Sequence, residues 1–560
     1  MDTVTAEKPV QTAPVRYPKG KLIDPVLEIA KQFPDHIAYE FMGKKCTYTR
    51  FVEQVEVCAR ALTALGVKQN EIVCIAMPNV PQAIVFFYAV NRIGAVANMI
   101  HPLSSEGEML TFINRVEAKT LLLMDQFYGS IQNIRGQTGL ENVIVASIGE
   151  ALPALKKLPY KLTLGRKVKK IPAGEVILRW PDFLKLASRV TALPDVGERE
   201  DEVAIILHSG GTTGKIKGVC LSNRSVNACA AQMKAANPMI DASDKMLTVM
   251  PIFHGNGLVI GVHAMLITGA KCVLIPRFTP ATYARDLLKY KCNYMSGVPT
   301  LFERLMEVDC MQNADLSFLK GVFSGADYLS VELERRIDAF LETHNSPVKV
   351  RQGYGMTEGV VASSLNPVTG IKEGSIGLPL PDTRMKIVKP DTDEELPVGE
   401  TGEIVFSSVT NMQGYYKDEE ETANTLRRHG DGLLWIHSGD LGTVDEDGFF
   451  YFKGRIKRMI VTNGYNVFPM ELENIIEGCD LVDRCCVLGV PDRERVEKVK
   501  AFIVLKKGVA QGEATTEQIK TYCRARIARY AMPREIEFIE ALPKTKVGKV
   551  DYNKLLQPKE

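Results

Sequence analysis

Charge of either sign in excess is what this sequence most conspicuously lacks: 69 lysines and arginines stand against 67 aspartates and glutamates, a formal net charge of +2. So small an imbalance gives no global field for nucleic acid or a membrane, and any charge effect must be local. Long apolar runs are missing too. The longest clean stretch, 257–266, is too short to span a bilayer. The first twenty residues carry no apolar h-region, so no signal peptide is expected and a cytoplasmic location is. The twelve cysteines are scattered singly apart from Cys485 and Cys486, with no CxxC pair and no ligand spacing with histidine. That pattern argues against a disulfide frame or a zinc site and for reduced, mostly buried thiols. No internal repeat or low-complexity tract is present.

What is there is a long alternation of helix and strand signals. At 560 residues the chain has room for about four core-bearing units, or for one large α/β body with a smaller domain. Residues 49–65 place Phe51, Val55, Cys58, Leu62 and Leu65 on one helical face, with Gly66 as a cap. Strands are expected at 71–77, 95–100 and 120–124, a helix at 81–93, and another helix opened by a Ser105/Glu108 capping box. Such alternation implies right-handed crossovers and a largely parallel sheet. It resumes with strands at 245–250, 271–275 and 320–323, while a helix ends at 233–237 just before Pro238. Beyond Pro379, short strands between Gly/Pro/Asp turns predict a β-rich subdomain. The last hundred residues repeat the alternation on their own, with strands at 485–490 and 500–505 and a helix near 516–530. Residues 156–170 break the pattern with seven basic residues, no acidic one, and Leu158, Tyr160, Leu162 and Leu164 interleaved. They read either as a solvated loop or as a patch for a membrane surface or an acyl substrate.

Residues 202–224, EVAIILHSGGTTGKIKGVCLSNR, hold the strongest chemical signal. A buried-strand pattern at 203–207 runs into a loop where Gly210, Gly211 and Gly214 let backbone N–H groups converge on an anion. Ser209, Thr212 and Thr213 add hydroxyl donors, and Lys215 and Lys217 add point charges for phosphate oxygens. It is not a Walker A loop, which would need glycine at Ser209 and a hydroxyl at Ile216. A plain solvated turn between strands is the alternative reading of the loop taken alone.

Four further stretches bear on the choice. In QGYGMTEG, 352–359, a hydroxyl at Thr357 and a carboxylate at Glu358 suit Mg²⁺ and phosphate. The run from 437 to 473 puts Asp440 in a tight turn, followed by Arg455 and Lys457. PIFHGNG, 251–257, places His254 after an aromatic, and LPKTKVGKVDYNKL, 542–555, is an exposed loop with Lys549 after a glycine. Singly these are a turn aspartate, a core histidine, a surface lysine and a helix N-terminal acid. Together, in this order and over nearly the whole chain, they resemble the adenylate-forming superfamily of acyl-CoA synthetases, adenylation domains and firefly luciferase.

The resemblance implies a large N-terminal body, 1–456, of two α/β subdomains and a β-rich subdomain, and a small mobile α/β C-terminal domain, 457–560, hinged at Lys457. It implies ATP, Mg²⁺ and coenzyme A: an acyl-adenylate forms with release of pyrophosphate, then a thiol displaces AMP. Two anions must meet in that first step, so the residues have to neutralise charge and fix an in-line geometry. By family position the loop from Ser209 to Gly214 with Lys217 holds the β- and γ-phosphates, Thr357 the α-phosphate and Glu358 the Mg²⁺. Ser324, Gly325 and Ala326, with Gln352, Gly353, Tyr354 and Gly355, border adenine, on which Tyr354 stacks. Asp440 takes both ribose hydroxyls, with Arg455 beside it. Lys549 bridges the carboxylate and the α-phosphate, and rotation at Lys457 then replaces it by the segment of Gly464 and Tyr465 for coenzyme A.

The match departs from the family at Ile216, where proline is usual, and at Asp327 and Tyr328, where a small residue and proline are common. For the acid, Phe253, His254, Gly255 and Asn256 stand where amino-acid-activating relatives place an aspartate, which favours an amine-free acid. His254 is expected to gate a pocket lined by Gly297, Val298, Gly359 and Val360, apolar and suited to a fatty acid. An aryl-acid CoA ligase and an acyl-AMP ligase serving a carrier protein are the alternatives. The short span from Glu358 to Gly377 leaves no room for the insertion typical of fatty acyl-AMP ligases. A kinase or ATPase would release ADP, and a degenerate binding protein would have no need of Glu358, Asp440, Arg455, Lys457 and Lys549 together. The partners expected are a carboxylic acid, ATP and coenzyme A, with no nucleic acid; monomer and homodimer both remain open.

Overall fold

Two sheets grow from the βα alternation, and the computed structural model describes them over residues 14–163, 165, 171, 176–210, 216–462, 465–492, 496–544 and 550–557. Compactness divides the chain into two units, one of 1–373, 377–384 and 406–436, the other of 374–376, 385–405 and 437–560.

In the first unit an eight-stranded sheet runs in the order Gly414–Tyr415, Ile216–Ser222, Val203–Gly210, Val96–Met99, Ile72–Ala76, Thr120–Met124, Asn142–Ala146 and Ile177–Arg179. Its strands from Val203–Gly210 to Ile177–Arg179 are parallel. A nine-stranded sheet runs Leu378–Pro379, Ser364–Leu365, Val350–Tyr354, Gly321–Ser324, Tyr294–Gly297, Lys245–Thr248, Lys271–Leu274, Ile37–Phe41 and Lys44–Thr47. Its six strands from Val350–Tyr354 to Ile37–Phe41 are parallel, and the strands at the two edges pair antiparallel.

One hydrophobic core serves both sheets. The helix Pro81–Arg92 lies in it with every residue from Pro81 to Asn91 buried, as expected of a helix apolar all round. Several polar groups that enter this core are paired. Asn223 Oδ1 accepts from Asn91 Nδ2 at 2.8 Å and from the Leu22 N–H at 3.1 Å. His263 closes the π-helix Asn256–His263, its ring between Tyr88 Oη and Asn227 Oδ1, each at 2.9 Å. The capping box at Ser105 and Glu108 is formed as its spacing predicts.

The segment beyond Pro379 is rich in strand, as its turns predict: Thr383–Val388, Gly402–Ser408, Leu426–Arg428, Leu434–Val444 and Phe450–Arg455. The second unit carries a separate α/β domain with its own core. Its strands run in the order Tyr465–Val467, Ile460–Thr462, Val496–Leu505 and Val482–Asp492, with Glu535–Phe538 parallel to Val496–Leu505. Helices Pro469–Glu477 and Glu513–Arg524 pack Leu472, Ile476, Ile519 and Cys523 against Ile460, Val487 and Ile503.

Two expectations need correction. Residues 156–162 of the basic stretch lie in the helix Ala154–Leu162 instead of a loop, because Leu and Lys propagate helix well once Pro153 has set the entry, even with Pro159 inside it. Asp440 lies inside the strand Leu434–Val444, opposite Arg455, and the turn signal belongs to Gly439, whose φ is +69°.

Candidate active site

The strand read at 203–207 continues to Gly210 and pairs antiparallel with Ile216–Ser222, Gly210 standing opposite Ile216 and Ser209 opposite Lys217. These strands flank the glycine-rich segment; Gly211, Thr212, Thr213, Gly214 and Lys215 themselves lie outside the described residues. The flanks are fixed by a residue the sequence did not single out. Arg115 donates to the Ile216 carbonyl and, at 3.4 Å, to the Tyr416 carbonyl, and faces Asp418 at 3.7 Å. Next to Ser209, His208 Nε2 lies 2.7 Å from Asn98 Oδ1, and burial, with the Arg115 charge second, pushes its imidazole down to about 3. It is therefore neutral near pH 7.

Glu358 is buried in the 3-10 turn Thr357–Gly359. Its Oε1 accepts from the Tyr415 hydroxyl at 2.7 Å and from Ser209 Oγ at 3.3 Å. Both bonds converge on that one oxygen, and Oε2 has none among the described residues. Burial, then the Glu358 charge, raises the Tyr415 phenol above its usual range, which keeps it a donor. Lys217 is paired with Glu421 and sits 4.9 Å from the Tyr415 ring centroid. The turn ends on Val360 at φ +71°, a conformation that costs a β-branched residue about 1–3 kcal/mol. Among the described residues no group of three or more His, Cys, Asp or Glu side chains is placed to hold a metal ion. A metal here would take one carboxylate oxygen from the chain and the rest from phosphate and water, which is how Mg²⁺ is commonly held.

The carboxyl ends of three parallel strands align Gly297, Ser324 and Gln352 side by side. Ligands of open α/β sheets collect at this edge. Ser324 Oγ and Gln352 Oε1 are buried with no hydrogen-bond partner among the described residues. Gly353 and Tyr354 complete their strand, while Gly325 donates to the Gly297 carbonyl at 3.2 Å and Ala326 takes φ +66°. Buried Arg351 holds this strand in place, donating to the Asn366 carbonyl at 2.7 Å and the Ala236 carbonyl at 3.1 Å. Burial lowers its guanidinium to about 10.

The residues expected to line an acyl pocket come together. Gly255 packs so closely on Val360 that a Cβ would lie 2.4 Å from the Val360 carbonyl oxygen. Ser296 Oγ bonds Asn256 Oδ1 at 3.2 Å, tying the His254 loop to the strand that ends at Gly297, next to Val298. Asn79, another residue the sequence did not reveal, accepts from the Ile252 N–H at 3.1 Å and donates to the Met250 carbonyl at 2.9 Å. His254 lies against Phe253, ring centroids 4.7 Å apart. Gly359 is small for packing: a Cβ there would be 2.7 Å from the Phe406 ring. A Cβ at Gly355 would likewise lie 2.1 Å from the Val361 carbonyl oxygen.

In the second unit, buried Asp440 forms a 2.8 Å ion pair from Oδ1 to Arg455 Nε across paired strands. Glu403 braces the approach to it: Oε1 accepts from the Gly439 N–H and Oε2 lies beside His437 Nδ1, each at 2.9 Å. Lys457 is exposed in the turn Ile456–Arg458. Tyr465 opens the strand Tyr465–Val467; Gly464 lies outside the described residues. Lys544 and Val550 pair across residues 545–549, so Lys549 also lies outside them.

Comparison with known proteins agrees with this arrangement. Residues 26–416 match the family described as AMP-binding enzyme, and 471–549 match the AMP-binding enzyme C-terminal domain. A long-chain-fatty-acid–CoA ligase of Bacillus subtilis (strain 168) is 31% identical over 547 residues, 96% of this chain and 95% of that protein. ATP-bound MatB from Rhodopseudomonas palustris shares the fold with a TM-score of 0.81 and 25% identity, over 96% of this chain and 98% of that one. The anthranilate CoA ligase AuaEII, in complex with anthranoyl-AMP, gives a TM-score of 0.82 at 25% identity, over 96% of each chain. The chain belongs to the AMP-binding enzyme family: it is an AMP-forming acid–thiol ligase that activates a carboxylic acid with ATP and passes the acyl group to coenzyme A.

Proposed function

We propose that the acid is a long-chain fatty acid and that the residues described above divide the work of the two half-reactions. The observation that carries the reading is the convergence of Tyr415 and Ser209 on one oxygen of Glu358, next to the strands that flank the glycine-rich segment. A carboxylate fixed through Oε1 presents Oε2 to a cation, and Mg²⁺ bound there would supply charge neutralisation for the phosphates. Ser209 to Gly214 and Lys217 then hold the β- and γ-phosphates, and Thr357 the α-phosphate. Ser324 and Gln352, with polar atoms buried and unpartnered, serve the base with Gly325, Ala326, Gly353 and Gly355, while Tyr354 stacks on it. Asp440, held by Arg455, accepts from the ribose hydroxyls.

In the first half-reaction an oxygen of the fatty carboxylate attacks the α-phosphorus, the bond to the β-phosphate oxygen breaks, and pyrophosphate leaves. Lys549 bridges attacking oxygen and α-phosphate; such a donor contributes about 10²–10³ in rate. In the second the thiol sulfur attacks the acyl carbonyl and AMP departs with the electron pair of the C–O bond. Lys457 is the hinge between 1–456 and 457–560 that exchanges Lys549 for Gly464 and Tyr465, and His254 gates the acyl chain against Gly297, Val298, Gly359 and Val360. The fatty-acid choice rests on that apolar lining and on the named activity of the Bacillus relative.

The test is product analysis by mass spectrometry with Mg·ATP, coenzyme A and a panel of fatty and aryl acids. AMP with a long-chain acyl-CoA is the expected result. Acyl-CoA from aryl acids alone would overturn the substrate assignment, and ADP would overturn the residue roles.

A further inference from the structure

The helix Ala154–Leu162 in the first unit plays no part in the reaction assigned above. Eight of its nine residues are exposed, and the remaining one, Tyr160, is its anchor. The Tyr160 ring packs over Gly149, where a Cβ would lie 2.9 Å from it. At about 100° per residue, Leu155, Leu158 and Leu162 fall on one narrow arc, on the side away from Tyr160. They are 91%, 64% and 52% exposed. Single exposed leucines are ordinary, but a stripe of three on a helix pointing out of the protein is not.

Charge completes the surface. Lys161 borders the stripe, Lys156 and Lys157 stand exposed on the side nearer Tyr160, and the helix holds no acidic residue. Lys156 Nζ donates to the Met42 carbonyl at 2.8 Å, which joins the helix to the hairpin of Ile37–Phe41 and Lys44–Thr47. That hairpin adds an exposed methionine, Met42, and two exposed lysines, Lys44 and Lys45. Lys157 is close enough for its charge to help burial lower the Lys44 ammonium. The helix and the hairpin together thus expose four apolar side chains and five ammonium groups.

We propose that this surface docks on an anionic lipid bilayer, the leucines entering the acyl boundary and the lysines lying among the headgroup phosphates. Charge complementarity commits the choice: a stripe this narrow is too small for a stable protein interface, whereas each lysine adds about a fivefold gain in partitioning at an anionic membrane surface. The contact is interfacial, since no helix among the described residues is long and apolar enough to cross a membrane.

Co-sedimentation of the full chain with phosphatidylcholine vesicles, with and without phosphatidylglycerol, tests the proposal. Binding is expected only with the anionic lipid and should weaken as salt rises. Lys156→Gln/Lys157→Gln/Lys161→Gln should lower the partition coefficient about a hundredfold, and Leu155→Gln/Leu158→Gln/Leu162→Gln should abolish pelleting. Both variants should retain wild-type turnover of a soluble acid, which also checks that they fold. Equal binding to neutral and anionic vesicles, or wild-type binding by a folded triple variant, would overturn the proposal. So would a leucine-dependent dimer in sedimentation velocity, which would give the stripe to a second copy of the chain.

Discussion

Replacing Tyr415 by Phe removes one oxygen and leaves the ring beside Lys217, so it deletes chiefly the hydrogen bond to Glu358, the contact to Thr425 Oγ1 being long at 3.5 Å. In the wild type that bond is 2.7 Å long and both side chains are buried. A hydrogen bond to an ionised partner is worth about 1.5–3 kcal/mol, or about 10- to 150-fold in an equilibrium or a rate. Ser209 still donates to the same oxygen at 3.3 Å, a longer and weaker bond, so the loss should fall in the lower half of that range. The assay is ATP–pyrophosphate exchange against Mg²⁺ concentration at saturating ATP and acid. With Oε1 less firmly held, half-saturating Mg²⁺ should rise roughly ten- to thirtyfold. Ser209→Ala alone should do less. The double variant should exceed the sum of the two, because each single variant leaves the other donor on the same atom. A Tyr415→Phe enzyme whose Mg²⁺ curve and rate coincide with the wild type would refute the assignment of Glu358 to the ion. A lowered melting temperature with an unchanged Mg²⁺ curve would place the bond in folding instead.

The other expectations are independent of that one. Burial pushes the His263 imidazole down to about 3, so the unfolded chain takes up the proton first. Stability is then full above the unfolded value of about 6.5 and lost as pH falls toward 3, by about 1.4 kcal/mol per pH unit, or ~2 kcal/mol at pH 5. His263→Gln should lose less melting temperature than the wild type between pH 7 and pH 5; an unchanged loss would contradict the linkage. Lys549→Ala should cut adenylation about 10²–10³-fold while sparing thioester formation from supplied acyl-adenylate, and equal loss in both assays would remove its bridging role. Lys457→Pro should leave pyrophosphate exchange intact while acyl-CoA formation falls; a variant that keeps both reactions would dismiss the hinge. Glu421→Gln should tighten competitive inhibition of the exchange reaction by inorganic phosphate several-fold, read as a lower inhibition constant; no change would mean that Glu421 does not restrain Lys217.

Helices and parallel strands of the body were legible because their signals are local. The capping box at Ser105 and the strand Thr120–Met124 stand where the residues alone put them. Errors arose where a side chain's place depends on distant chain. Asp440 looked like a turn residue beside Gly439, yet pairing with Arg455 fifteen residues later draws it into a strand. The groups that brace the candidate site left no trace in the sequence for the same reason. Arg115 reaches the Ile216 carbonyl across 101 positions, Tyr415 reaches Glu358 across 57, and Asn79 reaches Met250 across 171. Each is an ordinary polar residue until the fold supplies its partner. The close packing of the Phe406 ring on Gly359, where a Cβ would lie 2.7 Å from it, is equally invisible in the residues alone.

The Lys217–Glu421 pair carries a consequence for selectivity. A bare ammonium beside a phosphate loop would collect whatever anion is most abundant in solution. Here the cation comes with a tethered competitor, a carboxylate whose effective concentration is on the millimolar scale or above. A chloride or a lone phosphate, with one contact to offer, must displace that competitor for no further gain. A polyphosphate that engages the loop at several points makes the same exchange as one step among many. In the phosphate role proposed for it, the lysine would act as a threshold device that responds to the number of charges an anion brings, the threshold being set from the opposite side by Glu421.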